Sequence, residues 1–159
     1  MSIGEEEDVF GLEFSAAYPE VQGLLSLERS LRWSKEGLPK LTLHDKVLFE
    51  NSWIGNGLGS GDAASNGAGE AKQGTELTER FITLLEPQLE GGGRVTLTAK
   101  HRLTIDYDDA QWTPVINARN DMDHFGKERH WYTLDFLRLQ QPAYSDTIEA
   151  TFSFQFNEG

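Results

Sequence analysis

RVTLTAKHRLTIDY, residues 94–107, is the stretch from which the fold is read. Val95, Leu97, Ala99, His101, Leu103, Ile105 and Tyr107 hold its odd positions, and Thr96, Thr98, Lys100, Arg102, Thr104 and Asp106 hold the even ones. A period of two sends successive side chains to opposite faces of an extended chain, so the spacing predicts a β-strand with one apolar face. Read as a single strand at about 3.3 Å per residue it spans roughly 45 Å, more than twice the usual ~17–20 Å. A ribbon of that length is too long for a small domain to cover by itself, which points to burial against a neighbour.

On its C-terminal side, residues 108–127 (DDAQWTPVINARNDMDHFGK) have no period and read as a long polar connection carrying Trp112 and Phe125. Residues 129–140 alternate through His130, Tyr132, Leu134 and Phe136, then change parity at Leu137 and Leu139, which predicts a bulged strand. Residues 147–157 alternate cleanly, with Ile148, Ala150, Phe152, Phe154 and Phe156 on one side. On the N-terminal side, Leu77, Phe81, Leu84 and Leu85 are spaced as a helix over 75–86, with Thr75 as its cap and Pro87 and Gly91 to Gly93 as its stop. Residues 55–74 (GNGLGSGDAASNGAGEAKQG) hold too few apolar groups to offset the entropy of ordering and read as a mobile loop.

Further back, Leu41, Leu43, Val47, Phe49 and Trp53 alternate as one strand over 40–53, although Asp45 interrupts the apolar side. Pro19 followed by Val21, Leu24, Leu25, Leu31 and Trp33 predicts another helix over 19–33. Val9, Phe10, Leu12 and Phe14 follow an acidic leader as an apolar arm or edge strand. Together these elements predict an α+β fold: a mainly antiparallel sheet of four or five long strands, with two helices packed on one face. The expected organisation is a single domain over 1–159, with an N-terminal arm 1–15 and the long 55–74 loop. The order of helix, strand, loop, helix and then strands is similar to that of phage tail-end and neck proteins, a likeness of element order with no motif behind it.

Composition narrows the function classes. The 159 residues carry a net charge of −12, spread evenly: 7 basic and 14 acidic side chains over 1–80, and 7 and 12 over 81–159. No basic patch is available to grip a phosphate backbone, so direct sequence-specific nucleic-acid binding is not expected. There is no cysteine, hence neither a disulfide nor a thiolate metal site. The opening MSIGEEEDVF lacks the order of a secretory signal and no apolar run nears the roughly 18 residues of a membrane span. A cytoplasmic protein, or one incorporated in a virion-like particle, is the expectation; membrane contact is not.

Motifs for chemistry are weak. The glycines of 55–74 are not followed by Lys-Ser or Lys-Thr, as a phosphate-cradling loop requires. Asp121, Asp123, His124, Glu128 and His130 form the densest polar cluster, and Asp121, Asp123 and His124 are its best three-ligand set, but no metal-site spacing is met. Asp106, Asp108 and Asp109 read as an acidic turn, His101 as an inward-facing histidine, and Trp53, Trp112, Trp131 and Tyr132 as packing aromatics or a stacking platform. No catalytic residue, resident metal or cofactor is therefore assigned. The expected function is a non-enzymatic structural subunit of a larger assembly, contacting copies of itself and other assembly proteins through Val9, Phe10, Leu12, Phe14, Trp53, Leu58, Trp112 and Phe125. An acidic binder that mimics nucleic acid and a metal-dependent hydrolase built on the 121–130 loop are the alternatives.

Overall fold

A computed structural model describes residues 2–21, 23–50, 77–138 and 147–157. The 55–74 loop, its Leu58, Trp53 and the Thr75 cap lie outside the described residues. Within them the chain is nearly all strand: β1 (Ser2–Ile3), β2 (Glu7–Glu13), β3 (Leu24–Ser34), β4 (Lys40–Phe49), β5 (Thr78–Thr83), β6 (Gln88–Leu89), β7 (Arg94–Thr98), β8 (Arg102–Asp106), β9 (Trp112–Met122), β10 (Glu128–Arg138) and β11 (Thr147–Asn157), with one short 3₁₀ turn at Ser15–Ala17. Two antiparallel sheets result, one of eight strands in the order β1-β2-β3-β4-β11-β8-β7-β6 and one of three in the order β5-β10-β9. The α+β expectation is thus wrong: no α-helix forms among the described residues, and a second sheet occupies the place given to helices.

The 94–107 ribbon is also not one strand. It folds back at residues 99–101 into the β7–β8 hairpin, Arg94 facing Asp106 and Thr98 facing Arg102, and the amide of Ala99 donates to the carbonyl of His101 at 3.0 Å. His101 sits exposed in that turn and not on the apolar face. The argument from strand length to a neighbour falls with it.

Both predicted helices are strands for a common reason: apolar residues four apart share a face in either structure. In β3, Leu27, Arg29, Leu31 and Trp33 point inward, with a register shift between Leu24 and Ser26 that moves Leu24 out of phase. In β5, Glu79, Phe81 and Thr83 point inward, and Leu84 and Leu85 lie past the strand and are exposed. Residues 112–122, expected as a connection, are β9, paired residue for residue with β10 from Trp112–Arg138 to Met122–Glu128. That pairing is unbroken, so β10 has no bulge at Leu137.

The core lies between the sheets. Phe152 of β11 is fully buried at its centre, with the rings of Phe136, Phe81 and Trp112 at 4.8, 5.4 and 5.7 Å. Val95, Leu97, Ile105, Leu43 and Ala150 complete its lower layer, and Leu134 its upper one. Burying side chains of this size stabilises by roughly 1.5–3 kcal/mol each, which is ample for joining two sheets without a disulfide.

Candidate functional site

The two sheets are unequal, and that inequality makes the site. Phe81 packs edge-on against Phe152 and Phe154 at 5.4 and 5.3 Å, and Glu79 accepts a hydrogen bond from Arg29 of β3, so β5 lies along β11, β4 and β3. Phe136 of β10 meets Tyr107, just past β8, at 4.8 Å, which places β10 on the other side. β5 is therefore the margin of the small sheet toward β2 and β1. Beyond it the inner face of the large sheet goes uncovered: Ile3 and Phe10 are 70% and 41% exposed, and with Leu31, Trp33 and Leu41 they line a shallow cavity of about 160 Å³. Trp33 tilts against Phe156, itself partly exposed, at 6.3 Å. A contiguous apolar surface of this kind on a sheet marks a place where another surface packs. Its rim is acidic: Glu5 and Glu6 stand exposed on the β1–β2 side, while Glu7 and Asp8 are paired with Arg32 and Lys35.

A charged seam runs beside this face. Arg29 Nε donates to Asp45 Oδ1 at 2.7 Å, its Nη2 bonds Asp45 Oδ2, and the same Nη2 donates to Glu79 Oε2 at 2.9 Å. Arg29 also lies 5.7 Å from the Phe14 ring. Asp45 is 1% exposed, so the charge that interrupted the apolar pattern of β4 is neutralised by the charge that interrupted that of β3. One guanidinium serves two carboxyl groups. Burial, together with the hydrogen bond and the charge of Asp45, pushes Glu79 up to about 8, only partly offset by Arg29. The seam ties β5 to the large sheet.

The outer face of the large sheet is polar. Gly11, Ser30, His44 and Thr151 form one cross-strand row, and around it a groove of about 340 Å³ is lined by Glu13, Glu28 and Lys46. A second groove of about 310 Å³ lies among Arg94, Arg102, Thr104, Gln155 and Asn157. Both arginines there are engaged, Arg94 with Asp106 at 2.7 Å and Arg102 with Glu90 at 2.5 Å. No aromatic side chain of the described residues stands on this face, so it offers a sugar or a base no ring to stack on.

The remaining candidates separate. Trp112 is 2% exposed in the core and makes no surface contact. Phe14 packs on Tyr18 at 6.2 Å, and Val9 is half-buried. Phe125 is 82% exposed at the tip of the β9–β10 hairpin, stacked on His124 at 3.8 Å. Asp121, Asp123 and His124 do not converge. Asp121 accepts from Trp131 Nε1 at 2.7 Å, whereas Asp123 accepts from the amides of Phe125 and Lys127 and from Arg129 Nε at 2.9, 3.0 and 2.9 Å. These donors, the Lys127 amide first, hold the Asp123 carboxyl below its ordinary range, as a hairpin-tip cap does. Among the described residues no three His, Asp or Glu groups gather as metal ligands. Replacing Asp123 with Ala is expected to speed amide exchange at Phe125 and Lys127, with no change on adding Mn²⁺ or Zn²⁺; a metal-dependent rise in melting temperature lost in the variant would restore the metal reading. Asp108 likewise caps its own turn, accepting from the Ala110 amide and Gln111 Nε2 at 3.0 and 2.7 Å. The sequence does not single out half-buried Leu31, Trp33 and Leu41 as lining a cavity, since alternation names the apolar side of a strand and not whether it is covered.

The fold defines the chain as an antiparallel β-sandwich. It is similar to the crystal structure of heparan sulfate lyase HepC from Pedobacter heparinus, with a TM-score of 0.65 at 14% sequence identity over 99% of this chain, and to a mutant of that lyase at 0.62 and 15%. The chain spans about a fifth of the length of these proteins, 21% in each case. No protein-family model matches the sequence, and no curated protein does. No helix of the described residues is long and apolar enough to cross a membrane.

Proposed function

We propose that this chain is the β-sandwich module of a larger polysaccharide-degrading protein of the heparan sulfate lyase kind, and that it serves as a docking and supporting part without chemistry of its own. The observation that carries the reading is a sandwich finished on one side only: Ile3 and Phe10 stand exposed on the inner face beside half-buried Leu31 and Trp33. Its likeness to one-fifth of a lyase supports a place within a longer polypeptide that would cover that face. The net charge of −12 argues against gripping a polyanionic sugar directly, because both arginines of the polar groove are already paired and the surrounding field repels sulfate and carboxylate.

Incubated with heparan sulfate, the chain alone is expected to release no unsaturated uronate, followed by ultraviolet absorbance, and to pass a heparan sulfate column unretarded. Product formation would overturn the supporting role. Phe10→Lys is expected to change stability by less than about 1 kcal/mol, since the residue is partly exposed, yet to abolish binding of an apolar dye such as anilinonaphthalene sulfonate. Dye binding that is absent in the parent or unchanged in the variant would show the face to be covered.

A second reading rests on the same face: a non-enzymatic assembly subunit that buries it against copies of itself. Sedimentation distinguishes the two, because a self-associating subunit gains mass with concentration and the module stays monomeric. Two surfaces each belonging to a chain of net −12 repel, which favours the module.

A further inference from the structure

The open face has an open strand edge beside it. Among the described residues β5 pairs only with β10, on one side, and its inward Glu79 reaches Arg29 of β3, the strand next to β2. Natural sheet edges are blunted by proline, bulges, charged side chains, brevity or a covering segment. The opposite edge strand, β9, carries Pro114, which has no amide to donate. β5 has neither proline nor bulge, its pairing with β10 running in register over all six residues, and both of its charges are engaged within the fold, Arg80 with Asp135 at 2.6 and 2.9 Å and the inward Glu79 with Arg29. Ile82 on its outer side is 70% exposed. Among the described residues, then, β5 has an unpaired backbone edge on the sheet that packs beside Phe10, Leu31 and Trp33.

We infer that β5 accepts an added antiparallel or parallel strand from the partner, whose alternate apolar side chains settle on Phe10, Leu31 and Trp33 and whose flanking lysines or arginines meet Glu5 and Glu6. Backbone hydrogen bonds supply the affinity in this mode and the pockets for alternate side chains supply the selectivity. Charge selects the partner: an exposed acidic rim on a chain of net −12 favours a basic strand and disfavours a second copy of the same chain. The strand belongs, on the docking reading proposed above, to the part of the longer polypeptide that this chain lacks.

The probe is a ten-residue peptide of alternating valine and threonine with a lysine at each end, beside the same peptide N-methylated at every second residue, along each edge in turn. N-methylation removes the donors and leaves the side chains. Binding of the unmethylated peptide, with slowed exchange at alternate amides of 78–83 and at least a tenfold loss for one methylated form, is the expected result. Equal binding of all forms, with protection confined to β2 and β3, would overturn strand addition and leave apolar docking standing. No binding by any form would overturn the inference outright, and an unchanged dye signal in Phe10→Lys would remove the docking reading beneath it.

Discussion

Alanine at Gly93 is expected to cost about 3–5 kcal/mol, enough to leave much of the protein unfolded at 37 °C. A Cβ built on Gly93 falls 2.2 Å from the backbone oxygen of Tyr107, a distance no side-chain carbon can hold, and its φ of +72° is a left-handed value that costs an L-residue roughly 1–2 kcal/mol on its own. The obstacle is backbone, so no rotamer change relieves it. It cannot simply withdraw either, because the Tyr107 amide donates to the Gly93 carbonyl at 2.8 Å and holds the two strand ends together. The triplet provides its own control. Gly91 and Gly92 also have positive φ, +76° and +57°, but a Cβ there meets nothing within 4 Å. Gly91→Ala should therefore cost only about 1 kcal/mol. Urea denaturation of the two variants decides the matter, and equal losses would show that only the backbone angle, not the close approach, is at stake.

In the sequence that triplet announces a break in the chain but not its kind: its composition suits a helix stop, and the structure makes it a turn between strands. Three successive left-handed residues turn β6 into β7 and bring the chain against the end of β8. Other elements were legible outright. β11 matches the 147–157 pattern residue for residue, and β4 matches 40–49, since a half-buried antiparallel strand writes its two faces into the sequence. The same rule concealed the β7–β8 hairpin. Its pairs, 94 with 106 and 98 with 102, are mirrored about Lys100 and join even to even and odd to odd, so the alternation passes through the turn unbroken. Ala99-Lys100-His101 contains no Gly, Pro or Asn to signal it. β9 was missed for the opposite reason: from Ala118 onward the hairpin with β10 stands clear of the sandwich, exposed on both faces, and leaves no alternation to read.

The candidate site was legible in part. Phe10 and Leu12 are exposed on β2, whereas Trp112 lies in the core and Leu31, Trp33 and Leu41 are half-buried beside Phe10. Burial of a strand face depends on the length of the opposing sheet, and that is a property of the whole chain. The Arg29–Asp45–Glu79 seam left a subtler mark. Asp45 interrupts the apolar side of its strand and Arg29 falls in a segment whose spacing predicts a helix; opposite each other in register they complete one inner row.

Removing the cation from that row is expected to be as damaging as the glycine change. Arg29→Ala leaves Asp45, 1% exposed, and Glu79 without their shared guanidinium, and stranding buried carboxyl groups in this way costs about 3–5 kcal/mol. For a chain of this size that lowers the melting temperature by roughly 10 °C. The dependence on pH tests the cause. Glu79 has a folded value near 8 against an ordinary 4.5, so the folded state holds a proton that the unfolded chain releases between those values. Its contribution is therefore fully present below about pH 4.5, declines as pH rises and is lost above about pH 8, on the order of 5 kcal/mol in all. Glu79→Gln keeps the shape and an acceptor for Arg29 but cannot ionise, so it should match the parent near pH 5, exceed it near pH 9 and flatten the profile between. In Arg29→Ala the defect should deepen over the same range, because Glu79 then ionises without a counter-charge. Melting curves of the parent and both variants from about pH 5 to pH 9 give the answer. Parallel profiles for Glu79→Gln and the parent would mean that Glu79 is ionised throughout and that Arg29 neutralises both carboxylates by itself.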